Sequence, residues 1–161
     1  MPNLAIDIVW TKVSSELQRE IIEFWQSNNM LPPNVNAGER AQQVILIVRE
    51  NGRIVGLTSA DLVRFKQLND NLFYLFRMIV LPQYRLPGIE SKLAVESRDL
   101  LERFARTQAV NRSIGLLVFV ENPKLREKRN EAVWPATKLV YIGSDKQGRH
   151  IRVYYFKGAM I

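Results

Sequence analysis

The chain has 161 residues, 47% of them hydrophobic, and a formal net charge of +7 at pH 7. This length is typical of one domain with its own hydrophobic core, so we expect a single domain over residues 1–161. Because it contains no cysteine and one histidine, His150, the composition excludes disulfide frameworks, cysteine nucleophiles and multi-histidine metal sites. No metal is therefore expected.

The sequence gives no sign of a membrane segment. No apolar run approaches the roughly 18 residues that a membrane helix needs, and the first residues lack the basic and apolar regions of a signal peptide. We expect a soluble, cytoplasmic protein with no membrane partner. The excess positive charge favours anionic partners such as nucleotides, CoA or nucleic acid, although solubility alone would also account for it.

The first elements are a strand and a helix. Alternating apolar and polar residues over 5–10 predict a strand, and Ser15 with Gln18 resembles a capping box that opens a helix. One face of that helix is apolar and carries Leu17, Ile21, Phe24 and Trp25. Pro32 and Pro33 follow the helix, and a polar loop is predicted over 34–39.

Three antiparallel strands are predicted next. The β-branched run 44–48 is followed by Asn51-Gly52, and Asn-Gly between two apolar runs is the strongest short-range signal for a hairpin. The return strand is predicted over 53–65. A polar link then leads into a third strand over 72–81.

The rest of the chain alternates helices and strands. A helix is predicted from Ile89, with an apolar face of Ile89, Leu93, Leu100, Leu101 and Phe104. The apolar run 114–120 predicts a strand covered on both faces.

The last elements are a helix and two strands. Asn122-Pro123 is typical of a helix start, and Pro135 requires that helix to end near Trp134. Two final strands, 139–142 and 151–156, are joined through a turn at 145–148.

The junction after the third strand is the most informative segment. There Arg85-x-x-Gly88-x-Glu90 opens a helix, and the first turn of a helix offers unpaired N–H groups and a partial positive charge to an anion. This spacing resembles the acyl-CoA pyrophosphate loop of the GNAT N-acetyltransferase superfamily, usually written (Gln/Arg)-x-x-Gly-x-(Gly/Ala). Glu90 departs from that pattern, and Pro87 has no N–H to donate.

The order of the predicted elements is also similar to the GNAT layout. The resemblance implies an α/β (α+β) fold with a mixed, mostly antiparallel central sheet flanked by helices. It further implies that the strands 72–81 and 114–120 splay apart and that acetyl-CoA lies in the gap as co-substrate. The implied activity is transfer of an acetyl group from acetyl-CoA to a primary amine by direct attack.

The resemblance also implies which residues hold the cofactor. Backbone groups near Val80 and Leu81 would hold the acyl and pantetheine part, and Asn122 would contact the pantetheine arm. Asn122 is also a candidate N-cap ahead of Pro123, and both roles could hold together. The pyrophosphate would be held by the loop, through Arg85, Leu86, Gly88, Ile89, Glu90 and Ser91. Arg85 could instead brace the loop.

The catalytic residues are less clear from the sequence. Acetyl transfer needs a neutral amine and a proton for the departing thiolate, and many GNAT members supply that proton from a tyrosine near the last helix. Here Trp134 stands near that point, and Tyr141 is the nearest downstream phenol, with sheet packing as its alternative role. Glu121 is a candidate base acting through water, or a plain surface charge. Catalysis by positioning alone is a further alternative.

Two other functions stay open. The first is a non-catalytic or degenerate GNAT-fold protein that binds acyl-CoA, marked by Pro87, Glu90 and Trp134. The second is a small nucleic-acid-binding module. Nucleic acid is not the expected partner, because no binding signature is present and because Tyr154, Tyr155 and Phe156 are expected to pack in the core, whereas stacking on bases would require them to be exposed.

The helix predicted from Asn122 carries a cluster of cations whose role the sequence leaves open. Its cations, which are Lys124, Arg126, Lys128 and Arg129, predict a solvated face paired with Glu127 and Glu131. They could alternatively meet the 3′-phosphate of CoA or an acidic acceptor. Neither the acceptor nor a homodimer through the final strands can be read from the sequence.

Overall fold

The computed structural model describes residues 2–161. The strands are β1 (Leu4–Ile8), β2 (Val44–Glu50), β3 (Arg53–Phe65), β4 (Asn71–Val80), β5 (Gly115–Val120), β6 (Val140–Ser144) and β7 (His150–Tyr155). The helices are α1 (Ser15–Ser27), α2 (Ala37–Ala41), α3 (Ile89–Arg106) and α4 (Pro123–Lys128), with short 3-10 turns at Lys66–Leu68 and Pro82–Tyr84. None of these helices is long and apolar enough to cross a membrane.

The seven strands form one mixed, mostly antiparallel sheet. Their order is β1-β2-β3-β4-β5-β7-β6. Strands β4 and β5 run parallel and pair at Tyr74–Leu116 and Leu75–Leu117, whereas β5 pairs with β7, and β7 with β6, in antiparallel fashion. The predicted fold class, a mostly antiparallel sheet flanked by helices, is confirmed.

The chain divides into two compact units. The first comprises Met1–Asp61 and Arg77–Leu93, and the second comprises Leu62–Phe76 and Ala94–Ile161. The boundaries fall inside β3, β4 and α3, so no linker separates the units. The prediction of a single domain over residues 1–161 stays a prediction.

The first unit is built around α1 and the buried strand β2. Ile21 and Trp25 of α1 pack in one apolar cluster with Ile47 and Leu57 of the sheet. The helix begins one residue earlier than the predicted capping box requires, because the Ser14 side chain, not Ser15, accepts a hydrogen bond from the N–H of Leu17 at 3.1 Å.

The predicted loop over 34–39 is partly wrong. The Asn36 side chain accepts a hydrogen bond from the N–H of Glu39 at 3.0 Å and thereby caps the short helix α2. Two glutamine side chains, Gln42 and Gln18, join α2 to α1 through a 2.7 Å hydrogen bond. Such long-range contacts are absent from the local sequence pattern.

The predicted hairpin is present in the first unit. Asn51 and Gly52 both have positive φ, 49° and 81°, as a tight two-residue turn requires. The return strand β3 has the predicted bounds, 53–65. The Asn-Gly signal therefore identified the turn, whereas the register shift that follows the pairs Glu50–Arg53 and Arg49–Ile54 was not predicted.

In the second unit, β5 and β7 carry the apolar cluster, with Leu117 and Val153 packed on Phe65 and Phe73. Helix α4 ends at Lys128 rather than near the predicted Trp134. The reason is Arg152, which is 1% exposed and donates to the backbone carbonyls of four residues, Arg129, Glu131, Ala132 and Leu139. Those carbonyls accept hydrogen bonds from the guanidinium instead of from the N–H groups of a longer helix.

Candidate functional site

The segment between β4 and α3 forms a compact loop. After the turn Pro82–Tyr84, the chain makes a second turn in which the N–H of Ile89 donates to the carbonyl of Leu86 at 3.1 Å. Pro87 and Gly88 occupy its central positions, and the φ of Gly88 is 83°. Proline followed by a residue with positive φ is the pattern of a type II turn. The first bond of α3 then runs from the N–H of Lys92 to the carbonyl of Gly88 at 3.0 Å.

This loop leaves backbone donors at the start of α3. Within residues 2–161, the N–H groups of Gly88, Glu90 and Ser91 have no backbone acceptor. Helix α3 is 18 residues long, and its N-terminus carries a partial positive charge. Free N–H groups at a helix N-terminus form an anion-binding arrangement. Pro87 has no N–H, which limits the set to these three groups.

Arg85 braces the loop on the end of β4. Its Nε donates to the carbonyl of Val80 at 2.9 Å, and the N–H of Leu81 donates to the carbonyl of Val55 in β3 at 2.9 Å. The bracing role, one of two alternatives from the sequence, is therefore present. The carbonyl of Val80 and the N–H of Leu81 already have partners within the first unit.

Glu90 stands at the exposed start of α3. No cation lies within 4.0 Å of its carboxylate among the ion pairs of the described residues. Its charge is therefore balanced by neither Arg85 nor Lys92. An uncompensated carboxylate beside three N–H donors opposes the binding of a second anion by like-charge repulsion.

In the second unit, Asn122 and Glu121 follow β5. The side chain of Asn122 accepts a hydrogen bond from the N–H of Lys124 at 3.0 Å and caps α4. Glu121 is exposed and forms an ion pair with Arg149 at 3.1 Å. The same guanidinium binds Asp145 at 2.7 Å and lies 4.9 Å from the ring centroid of Phe119.

The pKa values of Arg149 and Asp145 are shifted by their mutual contact. Hydrogen bonding to Asp145 raises the pKa of Arg149 further above its already high value. Desolvation disfavours the charged form of Asp145, but the hydrogen bonds from Arg149 outweigh that effect and lower the pKa of this carboxyl. Arg149 thus stays charged and holds two carboxylates at the end of β5 and the β6–β7 turn.

Tyr141 lies in β6 and is 42% exposed, so it is not a core residue. Its hydroxyl is 3.4 Å from the hydroxyl of Ser144, and its ring centroid is 4.8 Å from that of His150. Trp134, by contrast, is held in place, since its indole N–H donates to the carbonyl of Arg129 at 2.8 Å and the Arg152 guanidinium lies 4.1 Å over its ring.

The comparisons with known proteins concern the fold. No family model and no curated protein matches the sequence. Among solved structures, the ribosomal-protein-S5-alanine acetyltransferase from Vibrio fischeri superposes with a TM-score of 0.65 at 10% identity, covering 100% of this chain and 97% of its own. A GNAT-family acetyltransferase from Streptococcus pneumoniae superposes with a TM-score of 0.58 at 14% identity, covering 96% of this chain and 99% of its own.

A third structure, AtaTR bound with AcCoA, has a TM-score of 0.61 at 13% identity, covering 98% of this chain and 96% of that one. These superpositions cover at least 96% of each chain and therefore establish the fold. The chain has the GNAT fold. The resemblance drawn from Arg85, Gly88 and the order of elements is confirmed at the level of the fold.

Within the GNAT fold, the predicted site residues fall into two groups. Val80, Leu81 and the loop Arg85–Ser91 are continuous in the first unit, where the Arg85–Val80 hydrogen bond joins the strand end to the loop. Glu121 and Asn122 are consecutive in the second unit, and Tyr141 is joined through His150 to β7.

The sequence pattern missed Arg149 and Arg152. Arg149 is 28 positions from Glu121, and no local signal marks such a pair. The predicted pairing of the α4 cations with Glu127 is wrong, because the only ion pair they form among the described residues joins Arg129 to Glu131 at 3.7 Å. Tyr155, expected in the core, is 44% exposed.

Proposed function

We propose that this chain is an acetyl-CoA-dependent N-acetyltransferase that acetylates a primary amine by direct attack. The observation that carries the proposal is the loop at the start of α3, where the N–H groups of Gly88, Glu90 and Ser91 lack backbone acceptors. This loop has the spacing of an acyl-CoA pyrophosphate loop and stands in a GNAT fold. Acetyl-CoA in the solved structure of AtaTR supports the same assignment.

The loop residues fit a pyrophosphate. Three N–H donors and the positive end of α3 suit two adjacent phosphates. A Cβ added at Gly88 would meet no atom within 4 Å, so the space in front of the turn is open. The Nε of Arg85 donates to the carbonyl of Val80. Its two terminal nitrogens can still donate to a phosphate oxygen.

Acetyl-CoA supplies an activated thioester. In the proposed reaction the amine nitrogen forms a bond to the acetyl carbon, the carbon–sulfur bond breaks, the amine loses a proton and the thiolate gains one. Glu121 would take the amine proton through a water molecule, with the Arg149 ion pair orienting its carboxylate. Tyr141 would supply the thiolate proton from a hydroxyl whose neighbour is Ser144.

A second candidate is a GNAT-fold protein that binds acyl-CoA without turnover. It is favoured by Glu90, whose charge has no ion-pair partner among the described residues, and by Trp134, whose indole N–H is already bound to Arg129. Positioning alone can also contribute several kcal/mol to acyl transfer, so the absence of a dedicated acid would not by itself abolish turnover.

Calorimetric titration with acetyl-CoA at moderate salt is the first test. Saturable one-to-one binding in the micromolar range, weaker for 3′-dephospho-CoA and unmatched by a simple polyanion, is the expected result. No binding, or binding that the polyanion equals, would contradict the assignment of the loop.

Turnover is tested separately with a panel of amines. We expect release of free CoA thiol that requires both acetyl-CoA and an amine. The substitution Glu121→Gln should lower kcat and leave KM nearly unchanged. Arg103→Gln, which changes an exposed residue of α3, is the matched control. Tight binding of acetyl-CoA with no thiol release across the panel would favour the non-catalytic candidate.

A further inference from the structure

The net positive charge of the chain lies entirely in the second unit. In the first unit, Lys and Arg number 8 and Asp and Glu number 8, a difference of 0. In the second unit they number 15 and 8, a difference of +7, which equals the net charge of the whole chain. A charge difference of this kind between two parts of one chain favours an anionic partner over general solubility.

Part of this charge is concentrated where α4 meets the β6–β7 turn. The Nη1 of Arg126 donates to the carbonyl of Gly148 and joins the helix to the turn. The cations of this α4–hairpin surface are Lys124, Arg126, Lys128 and Lys146, and none of them forms an ion pair among the described residues. The three lysines are exposed.

The neighbouring acids do little to neutralise these cations. Glu121 and Asp145 are bound to Arg149, and Glu131 is paired with Arg129. Glu127 is the remaining carboxylate on α4. Four cations against one acid leave a surplus of positive charge on α4 and the adjoining β6–β7 turn.

The same hairpin presents an aromatic side chain to solvent. Tyr141 is 42% exposed, and its ring leans on His150 with a centroid separation of 4.8 Å and an interplanar angle of 59°. A ring supported on one side by another ring is held in place, so that its exposed part can receive a nucleobase by stacking.

We propose that the α4–hairpin surface binds single-stranded nucleic acid. Lys124 and Lys128, one helical turn apart on α4, would contact phosphates of the strand, and Tyr141 would stack on an unpaired base. Nucleic acid is favoured over an acidic peptide because a base offers a flat ring that can stack on the exposed face of Tyr141, whereas an acidic peptide would contact the cations alone. Exposed aromatic residues were the feature that the sequence did not reveal.

Fluorescence anisotropy with a labelled single-stranded RNA of 12 nucleotides tests the proposal, without acetyl-CoA present. The double variant Lys124→Ala/Lys128→Ala should bind at least tenfold more weakly at low salt. The slope of log K against log salt should become shallower by about 1.4, since each phosphate contact on a single strand contributes about 0.7. The control, Lys12→Ala/Arg19→Ala, removes two exposed cations from the first unit and should change affinity less than twofold.

Substitutions at Tyr141 test the stacking role. Tyr141→Phe keeps the ring and should retain affinity, whereas Tyr141→Ala should lose about tenfold, as expected for one stacked base. The thermal unfolding midpoint of each variant reports whether the fold is retained.

Three outcomes would overturn the proposal. One is absence of RNA binding at low salt, and another is an equal loss in the two double variants, which would mean that net charge alone attracts the strand. The third is polyglutamate competing as well as RNA while Tyr141→Ala binds normally, which would identify an acidic-peptide surface. Because acetyl-CoA is absent, none of these results depends on the proposed acetyltransferase activity.

Discussion

Gly115, the first residue of β5, has no room for a side chain. A Cβ at this position would lie 2.2 Å from the carbonyl oxygen of Tyr154 in β7, and both atoms belong to paired backbones that cannot move apart independently. Gly115→Ala should therefore lower the free energy of unfolding by about 2–3 kcal/mol, the cost of overpacking a well-packed site. Urea denaturation followed by circular dichroism measures the change.

Gly38→Ala is the matched control for that substitution. Its Cβ would lie 3.1 Å from Nε2 of Gln18, the end of a flexible side chain, and alanine is the better helix former. We expect a change between zero and a gain of about 1 kcal/mol. A loss as large as that of Gly115→Ala would show that the effect comes from removing any glycine and not from the backbone approach at Tyr154.

Glu90 places a negative charge beside the donors that the proposed pyrophosphate would use. Glu90→Gln keeps the shape and removes the charge, so acetyl-CoA should bind about three- to tenfold more tightly, as expected for one charge at a helix N-terminus. Calorimetry measures the affinity, with Glu96→Gln on an exposed face of α3 as the control. Unchanged affinity would mean that the Glu90 carboxylate does not face the phosphates.

The candidate site was only partly predictable from the sequence. The spacing of Arg85, Gly88 and Glu90 is local, and so the loop and its turn could be inferred from it. Arg149 reaches Glu121 across 28 positions, and its role depends on the pairing of β5 with β7. No spacing rule links residues that only the register of a sheet brings together.

For helices and strands too, features set by local residues were predicted, and features set by distant contacts were missed. The hairpin at Asn51-Gly52 and strand β3 follow from turn residues that specify their own φ values. Helix α4 was predicted six residues too long because Pro135 sets only an upper limit to its end. Its actual end depends on Arg152, which lies in the distant strand β7 and donates hydrogen bonds to the carbonyls of Arg129 and Glu131.

Arg49 in β2 joins three elements of the first unit. It donates to both carboxylate oxygens of Glu20 in α1, at 2.5 and 2.9 Å, and to Asp7 in β1 at 3.2 Å. The hydrogen bond from Arg49 lowers the pKa of Glu20 below its ordinary value of 4.5. The pair therefore stabilises the fold above pH 4.5, and this contribution is lost as the pH falls through the lower, folded-state pKa.

Glu20→Gln should consequently lose about 0.5–1 kcal/mol of unfolding free energy at pH 7, the range of a partly exposed ion pair. The difference from the unmodified chain should shrink as the pH falls below 4.5 and disappear once the pH is below the lowered, folded-state pKa of Glu20. Urea denaturation at pH 7, 5 and 3 follows this trend, with Glu23→Gln, an exposed residue of the same helix, as the control. A difference that does not shrink between pH 7 and pH 3 would show that the Glu20 charge is not its cause.

For the whole molecule, the decisive feature is that the boundaries between the two units fall inside β3, β4 and α3. A helix or strand that passes from one unit to the other cannot be half formed without losing hydrogen bonds at the break, and helix formation is itself cooperative. We therefore expect one unfolding transition for the chain, as the single-domain prediction requires. Calorimetric and van't Hoff enthalpies should agree.

Two substitutions, one in each unit, make this expectation specific. Glu20→Gln alters the first unit and Gly115→Ala the second, and each should shift the single transition as a whole, measured by scanning calorimetry at pH 7. The midpoint should fall by roughly 2–4 °C for each kcal/mol lost, the scale for a chain of about this size. If the units unfold independently, the trace will instead divide into two transitions, and each substitution will move only one of them. That result would make the second unit, which carries the whole net charge, a separate folding unit.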